Sequence, residues 1–213
     1  MAMTVADVLK RANYVLNDTS NVRWTLDEIL LWITDAMREI GRRNPGAMSR
    51  RKVLTLVAGT RQTIADDAMR LMDAVRNINA DDSPGRVLTV IDRTQLDAQD
   101  PDWHMASQTG RIRHVMYDPT SDTLGFFVYP PAKAGTKIEV IDSALLTPVT
   151  SKDDVLPVRD QYLGAIVSYV LYRSLSKESE DASGQLAAAH YSAFANSLGD
   201  ATQAAAAAQT AGV

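Results

Sequence analysis

Residues 40–57 read IGRRNPGAMSRRKVLTLV, and the hydrophobic period changes inside this stretch. Before it, apolar residues recur every three or four positions, as on one face of a helix. After it, they alternate with polar residues, as on one face of a strand. The step Asn44-Pro45-Gly46 lies at the change, because the residue before a proline avoids helical geometry and glycine permits turns. The stretch therefore predicts that a helical segment stops here and that a β-rich segment follows.

Two helices are predicted before this step. The first is expected over residues 5–17, where apolar residues recur at spacings of three and four. Thr25 followed by Glu28 is a capping box, which can satisfy the free backbone amides where a second helix begins. Residues 1–49 are therefore expected to form an N-terminal helical hairpin.

Runs of branched and aromatic residues follow the step as far as about Thr150. They are KVLTLV, RVLTVIDR, IRHVMYD, LGFFVYP and KIEVIDSALL, separated by the turn clusters DDSPG, DPTSD and PPAKAG. Such connections lack the helices that parallel sheets require between their strands. Residues 50–157 are therefore predicted to form an inserted, β-rich antiparallel domain.

Helical spacing returns after the β-rich segment. Residues 158–198 are predicted to form a C-terminal helix pair that completes one bundle with the first pair. The remaining residues, 199–213, are rich in alanine, which favours helix but offers little surface to bury. This tail is expected to be flexible, and it either stays disordered or becomes ordered on a neighbour. The predicted class is α+β, a helical bundle with an inserted antiparallel β domain.

Composition narrows the classes of function. The chain has a formal net charge of -4, unlike proteins whose main task is to grip phosphate backbones. It contains no cysteine, which excludes disulfides, thiolate metal sites and a cysteine nucleophile, and which fits folding in a reducing cytoplasm. The most apolar run, YLGAIVSYVLY, is far shorter than the roughly 20 residues that span a bilayer. No membrane association is expected.

Motifs of catalysis and cofactor binding are missing from the pattern. His104, His114 and His190 fall in three different segments, without the spacing that places two metal ligands on one helical face. The sequence also lacks the nucleophile motifs GxSxG and SxxK and the phosphate-binding motif GxxxxGK[ST]. We therefore predict that the chain is not an enzyme and holds neither a cofactor nor a metal.

Two features leave alternatives open. The first is the densest basic cluster, which consists of Arg42, Arg43, Arg50, Arg51 and Lys52. Such a cluster either contacts DNA or an acidic partner or forms a solvated, ion-paired surface. Trp103, in a polar loop between predicted strands, either folds back into the β domain or anchors an interface.

The ordered series of segments resembles the head-to-tail adaptors of tailed bacteriophages and is similar to the tail tubular protein A group of short-tailed phages. The segments that carry the resemblance are VADVLKRANYVLND, RWTLDEILLWITDAMREI, LVAGTRQTIADDAMRLMDAVRN, VIDRTQLDAQDPDWH, GFFVYPP and QYLGAIVSYVLYRSLSKESED. They cover most of the chain, and their cumulative order is more specific than any single motif.

The resemblance implies a ring, of twelve copies, bound beneath the portal protein in the neck of the virion. The chain would be made in the host cytoplasm, carry a tail nozzle or tail tube protein, and let genomic DNA pass without sequence-specific binding. The expected portal-contacting residues lie on the last helix and the tail: Tyr191, Phe194, Leu198, Ala204 and Ala208. Trp103 and His104 are expected to contact the tail.

Two other hypotheses remain. One is a small ligand-binding protein or enzyme with a pocket in the β domain near His104, His114 and Asp118. The other is a different head- or tail-completion protein of the virion. Ring symmetry and position in the particle would separate the adaptor from the second of these.

Overall fold

The fold is seen in a computed structural model, which describes residues 3–118, 120–177 and 183–210, with side chains as far as Gly199. The chain divides into two compact units. One unit, here called the helical unit, comprises Met1–Met48 and Leu146–Val213, and the other, the β unit, comprises Ser49–Leu145. The predicted α+β class is confirmed, because the strands of both sheets lie in one segment of the chain and most of the helices lie outside it.

The helices of the helical unit are α1 (Val5–Leu16), α2 (Leu26–Arg43), α4 (Leu163–Ser176) and α5 (Gly184–Thr210). Helix α3 (Arg93–Gln99) lies in the β unit. The predicted capping box begins α2, where the Glu28 amide donates to Thr25 Oγ1 at 3.4 Å and the Thr25 amide donates to Glu28 Oε2 at 3.2 Å. Helix α2 ends beside Asn44, before the short 3₁₀ turn Pro45–Met48.

One hydrophobic core joins the four helices of the helical unit. It includes Val8 of α1, Ile33 of α2, Ile166 of α4 and Phe194 of α5, each with no exposed side-chain surface. The chain that leaves the β unit also packs here, since the Leu156 amide donates to the Met3 carbonyl at 2.8 Å. The arrangement of these helices as a four-helix bundle stays a prediction.

The β unit contains two four-stranded sheets. Their strands are β1 (Ser49–Thr55), β2 (Gly59–Thr63), β3 (Ala68–Ile78), β4 (Pro84–Val87), β5 (Thr89–Val90), β6 (His114–Met116), β7 (Gly125–Ala132) and β8 (Lys137–Ala144). The first sheet has the order β1-β8-β3-β4 and the second has the order β2-β7-β6-β5. Every strand pair is antiparallel except β5 and β6, which run parallel.

Side chains from both sheets form the main core of the β unit. Leu71 and Ile138 come from the first sheet, and Val115, Phe126 and Val128 come from the second. A second cluster packs Leu96 of α3 against Trp103 and Met116. The candidate sites of the β unit lie on the ends of its strands and on the loop of Trp103, and these two clusters pack beneath them.

Candidate interaction sites

Two residues of the predicted basic cluster lie at the end of α2. Arg42 Nη2 and Arg43 Nε both lie 2.7 Å from Glu39 Oε1, three and four residues earlier on the same helix. Arg43 Nη2 also donates to Tyr191 Oη at 3.0 Å. The hydrogen bond from Arg42, against a smaller opposing effect of burial, lowers the pKa of Glu39. Both cations therefore have an anionic partner inside the helical unit.

The other three members of the cluster lie on β1. Arg50 Nε is 2.8 Å from Oδ1 of Asp142, a carboxylate that is almost fully buried, and Lys52 Nζ is 2.9 Å from Asp67 Oδ1. Arg51 is exposed, and no ion pair joins it to another described residue. Four of the five predicted cations are thus engaged in ion pairs, as expected of an ion-paired surface.

Trp103 lies in the second cluster of the β unit, with a side chain that is 1% exposed. Its indole Nε1 donates to Asp97 Oδ1 at 2.8 Å, and its ring meets the edge of Phe127 at a centroid distance of 6.0 Å. Of the two placements left open by the sequence, the structure adopts the folded-back one. A tail contact by Trp103 itself stays a prediction. Because its side chain is buried, the direct role of Trp103 is to support the neighbouring loop.

His104 lies on the surface above this buried indole. Its ring stacks on Trp103 at 3.7 Å between centroids, and its Nδ1 lies 2.8 Å from Thr60 Oγ1. The next residue, Met105, is 84% exposed. The loop therefore presents an imidazole that is fixed by its contacts with Trp103 and Thr60, and beside it an exposed apolar side chain. Met105 was not singled out from the sequence.

The expected portal-contacting residues have different surroundings. Phe194 and Leu198 are buried in the core of the helical unit, where Phe194 packs against Tyr169 at 5.0 Å between ring centroids. Tyr191 is 38% exposed. The backbone of α5 continues to Thr210, and the side chains of Ala204 and Ala208 lie outside the described residues. Among the described side chains of this set, Tyr191 is the accessible one.

A groove of about 820 Å³ lies on the β unit. Asp118 lines it together with Arg61, Asp92, Arg93 and other residues, whereas neither His104 nor His114 contributes to its lining. The three residues of the predicted pocket therefore do not converge. The described residues contain no group of three histidine or acidic residues that could hold a metal.

No helix in the described part of the chain is both long and apolar enough to cross a membrane.

A comparison with protein-family models matches residues 3–213 to the family described as SU10 adaptor protein. The chain belongs to the SU10 adaptor protein family. A search of curated proteins found no match. The family match spans both units and confirms the coarser expectation, a phage adaptor. The finer likeness to tail tubular protein A stays a prediction.

Membership of the SU10 adaptor family implies a virion component between capsid and tail, associated with portal and tail. It also suggests a structural protein rather than an enzyme. The candidate sites of an adaptor are therefore surfaces that contact other proteins.

Two charged surfaces of this SU10 adaptor were missed by sequence reasoning. Arg111 and Arg113 are exposed just before β6, and Asp118 is exposed just after it. The signal was present in the run RIRHVMYD, which has cations at its start and an acid at its end. The run was interpreted as a strand, with His114 and Asp118 near the pocket of the alternative ligand-binding hypothesis, and its separated charges were not recognised because the alternating apolar residues dominated the pattern.

Proposed function

We propose that this adaptor forms a closed ring beneath the portal of a tailed phage, where it joins capsid to tail. Genomic DNA passes through the opening of the ring. Twelve copies are proposed, as the resemblance to the tail tubular protein A group implies. The observation that carries the proposal is the family match over residues 3–213, which includes both units.

The proposed mechanism is geometric rather than chemical. Contacts between two different surfaces of neighbouring copies close into a ring when the rotation between copies divides a full turn. The formal net charge of -4 suits a wall past which DNA slides, because a strongly basic wall would hold the phosphates. A tail nozzle or tail tube protein would then attach to the ring.

The portal contact is assigned to the end of α5 and to Tyr191. The last described core residue of this helix is Leu198, yet its backbone continues to Thr210, roughly 18 Å further at the rise of an α-helix. An alanine-rich helix has little to bury by itself. A surface on another protein would supply the missing contacts.

Removal of residues 200–213 tests this assignment. Because Leu198 is the last core residue among the described side chains of α5, the shortened chain should keep its melting temperature. Its binding to purified portal, measured by co-sedimentation, should fall by about tenfold or more. A matched variant that keeps the helix but changes exposed Leu186 to alanine should bind as the full chain does. Undiminished portal binding by the shortened chain would rule out docking through this segment.

The tail contact is assigned to the loop that presents His104 and Met105. This loop rests on the buried Trp103, so its shape is fixed before a partner arrives. An exposed methionine beside an imidazole suits a protein surface with both apolar and polar groups.

A further inference from the structure

The parallel pair β5 and β6 gives the β unit two ends of opposite charge. Because the two strands run in the same direction, both amino ends lie at one end of the pair and both carboxyl ends lie at the other. Arg86, in β4, lies three residues before β5, and Arg113 directly precedes β6, whereas Asp92 and Asp118 each lie two residues after the end of β5 and β6. The connectivity of one strand pair thus collects cations at one end and carboxylates at the other.

The basic end consists of Arg86 and Arg113, whose charges act on His114, together with Arg111 and Lys133 in the neighbouring segments of chain. The four cations are exposed, and none forms an ion pair with another described residue. The Thr89 amide donates to the Arg113 carbonyl at 3.0 Å, which ties the two strand starts together. Burial first, and then the charges of Arg113 and Arg86, lower the pKa of His114. Like charges are therefore held side by side here.

The acidic end is the rim of the groove, formed by Asp92, Asp118 and Asp122. Asp118 receives hydrogen bonds from Thr120 and Ser121, which are neutral donors, and these hold its pKa at about 2. Hydrogen bonds from Thr94, and to a smaller extent the charge of Arg93, lower the pKa of Asp92, and a smaller opposing effect of the Asp118 charge indicates that the two carboxylates are neighbours. These two carboxylates form no ion pair with a described residue.

The groove also contains two arginines, each already engaged. Arg61 Nη2 lies 3.6 Å from Asp122 Oδ2, and Arg93 Nε lies 3.4 Å from Asp97 Oδ2. The charge of Arg93 also lowers the pKa of Asp92, whereas neutral donors are the main cause for Asp118, so Asp118 is the rim carboxylate whose charge is balanced least.

We infer that the basic end of one copy docks on the acidic groove of the next copy in the ring. The two surfaces are of opposite charge, and each holds like charges together that a partner would neutralise. They cannot meet within one chain, because the five residue steps from Arg113 to Asp118 separate them by about 16 Å of extended chain. Two different complementary surfaces on one chain are what a head-to-tail contact needs.

This inference rests on the proposed ring, and charge reversal tests the two separately. The variants are Arg113→Glu, Asp118→Arg and the double change, each mixed with purified portal rings and examined by negative-stain electron microscopy. Each single reversal should lower the number of complete adaptor rings about tenfold, because like charges would face each other across the contact. The double reversal should restore assembly. Arg11→Glu, on the exposed face of α1, is the matched control and should assemble normally.

Folding is checked separately, since Asp118→Arg also removes the acceptor for Thr120 and Ser121. Asp118→Asn keeps an acceptor oxygen and should still weaken assembly. The thermal melting curve of each variant should match that of the starting protein. The inference is wrong if folded single variants assemble normally, or if the folded double variant fails to recover.

Two further outcomes of this experiment distinguish the proposed contact from the proposed ring on portal. If the unchanged chain forms no ring on portal, sedimentation of the chain alone at rising concentration replaces the ring count. Self-association that is lost in Arg113→Glu and regained in the double variant would uphold this contact while the portal proposal fails; a monomer at every concentration would overturn both. If Arg113→Glu assembles normally but loses affinity for double-stranded DNA, the basic end is a phosphate-binding surface and the inference is overturned.

Discussion

At the scale of single residues, Trp103 shows how one side chain supports a surface. Its indole fills the cluster formed with Leu96 and Met116, donates to Asp97, and carries the ring of His104 on its face. The exposed loop therefore depends on a buried residue.

We predict that Trp103→Ala weakens folding. The large cavity left by the indole should cost about 3–5 kcal/mol in the free energy of unfolding, measured by urea denaturation. His104→Ala, which removes an exposed ring, should cost far less and should instead reduce tail attachment. A Trp103→Ala protein with unchanged stability and lost tail attachment would contradict the core role.

Asp67 carries a prediction about acid stability. Hydrogen bonds from Arg50 and then Lys52 lower its pKa from 3.8 to about 2 in the folded chain. A carboxyl whose pKa is depressed by folding adds stability above its unfolded pKa, and that stability is lost as the pH falls through the folded value.

Asp67→Asn should therefore flatten the decline of stability between about pH 4 and pH 2, followed by urea denaturation at each pH. The effect should be modest, because the Asp67 side chain is 56% exposed and solvent screens its ion pairs. Asp66→Asn is the matched control, since Asp66 forms no ion pair with a described residue. If the free energy of unfolding declined equally at low pH in Asp67→Asn and in the unchanged protein, this role of Asp67 would be contradicted.

Ion pairs explain why the basic cluster could not be interpreted from sequence alone. Arg50 pairs with Asp142, 92 positions away along the chain, and Lys52 pairs with Asp67. A local run of cations shows no sign of such partners. The cations at Arg86 and Arg113 were missed for the converse reason, since strand pairing brings them together from separate segments.

At the scale of elements, local signals predicted the ends of helices well. The capping box of Thr25 and Glu28 and the stop at Asn44-Pro45 were both found where the sequence placed them. Strand β3 was not among the predicted strands, because its residues AMRLMDAVRNI include many good helix formers. Pairing with β8 on one side and β4 on the other overrides that preference.

Helix α3 was missed for a different reason. It has seven residues, with Leu96 its one buried side chain, so no helical period could be recognised. Its start is fixed by Asp92, whose Oδ1 accepts from the Thr94 amide at 2.8 Å. The parallel pairing of β5 and β6 was also unexpected, and α3 lies in the long connection that makes it possible.

Thr25→Ala tests the capping box at this scale. Loss of the side-chain acceptor for the Glu28 amide should lower the free energy of unfolding by about 1 kcal/mol, measured by urea denaturation. Thr19→Ala, an exposed change in the same connection between α1 and α2, should be neutral. Equal effects of the two changes would show that the cap contributes nothing of its own.

At the scale of the whole molecule, the order of helical, β-rich and helical segments was predictable from the change in hydrophobic period. The family match over residues 3–213 then turned a resemblance between segments into membership of an adaptor family. The two charged ends of the β unit could be recognised only from the strand pairing, because the residues of each end are brought together from separate segments of the chain.

The most direct test of the adaptor role is electron microscopy of the purified chain mixed with its portal, with the copies in each ring counted. The account predicts a closed ring of twelve copies stacked coaxially on the portal. A chain that stays monomeric and does not bind the portal would contradict it.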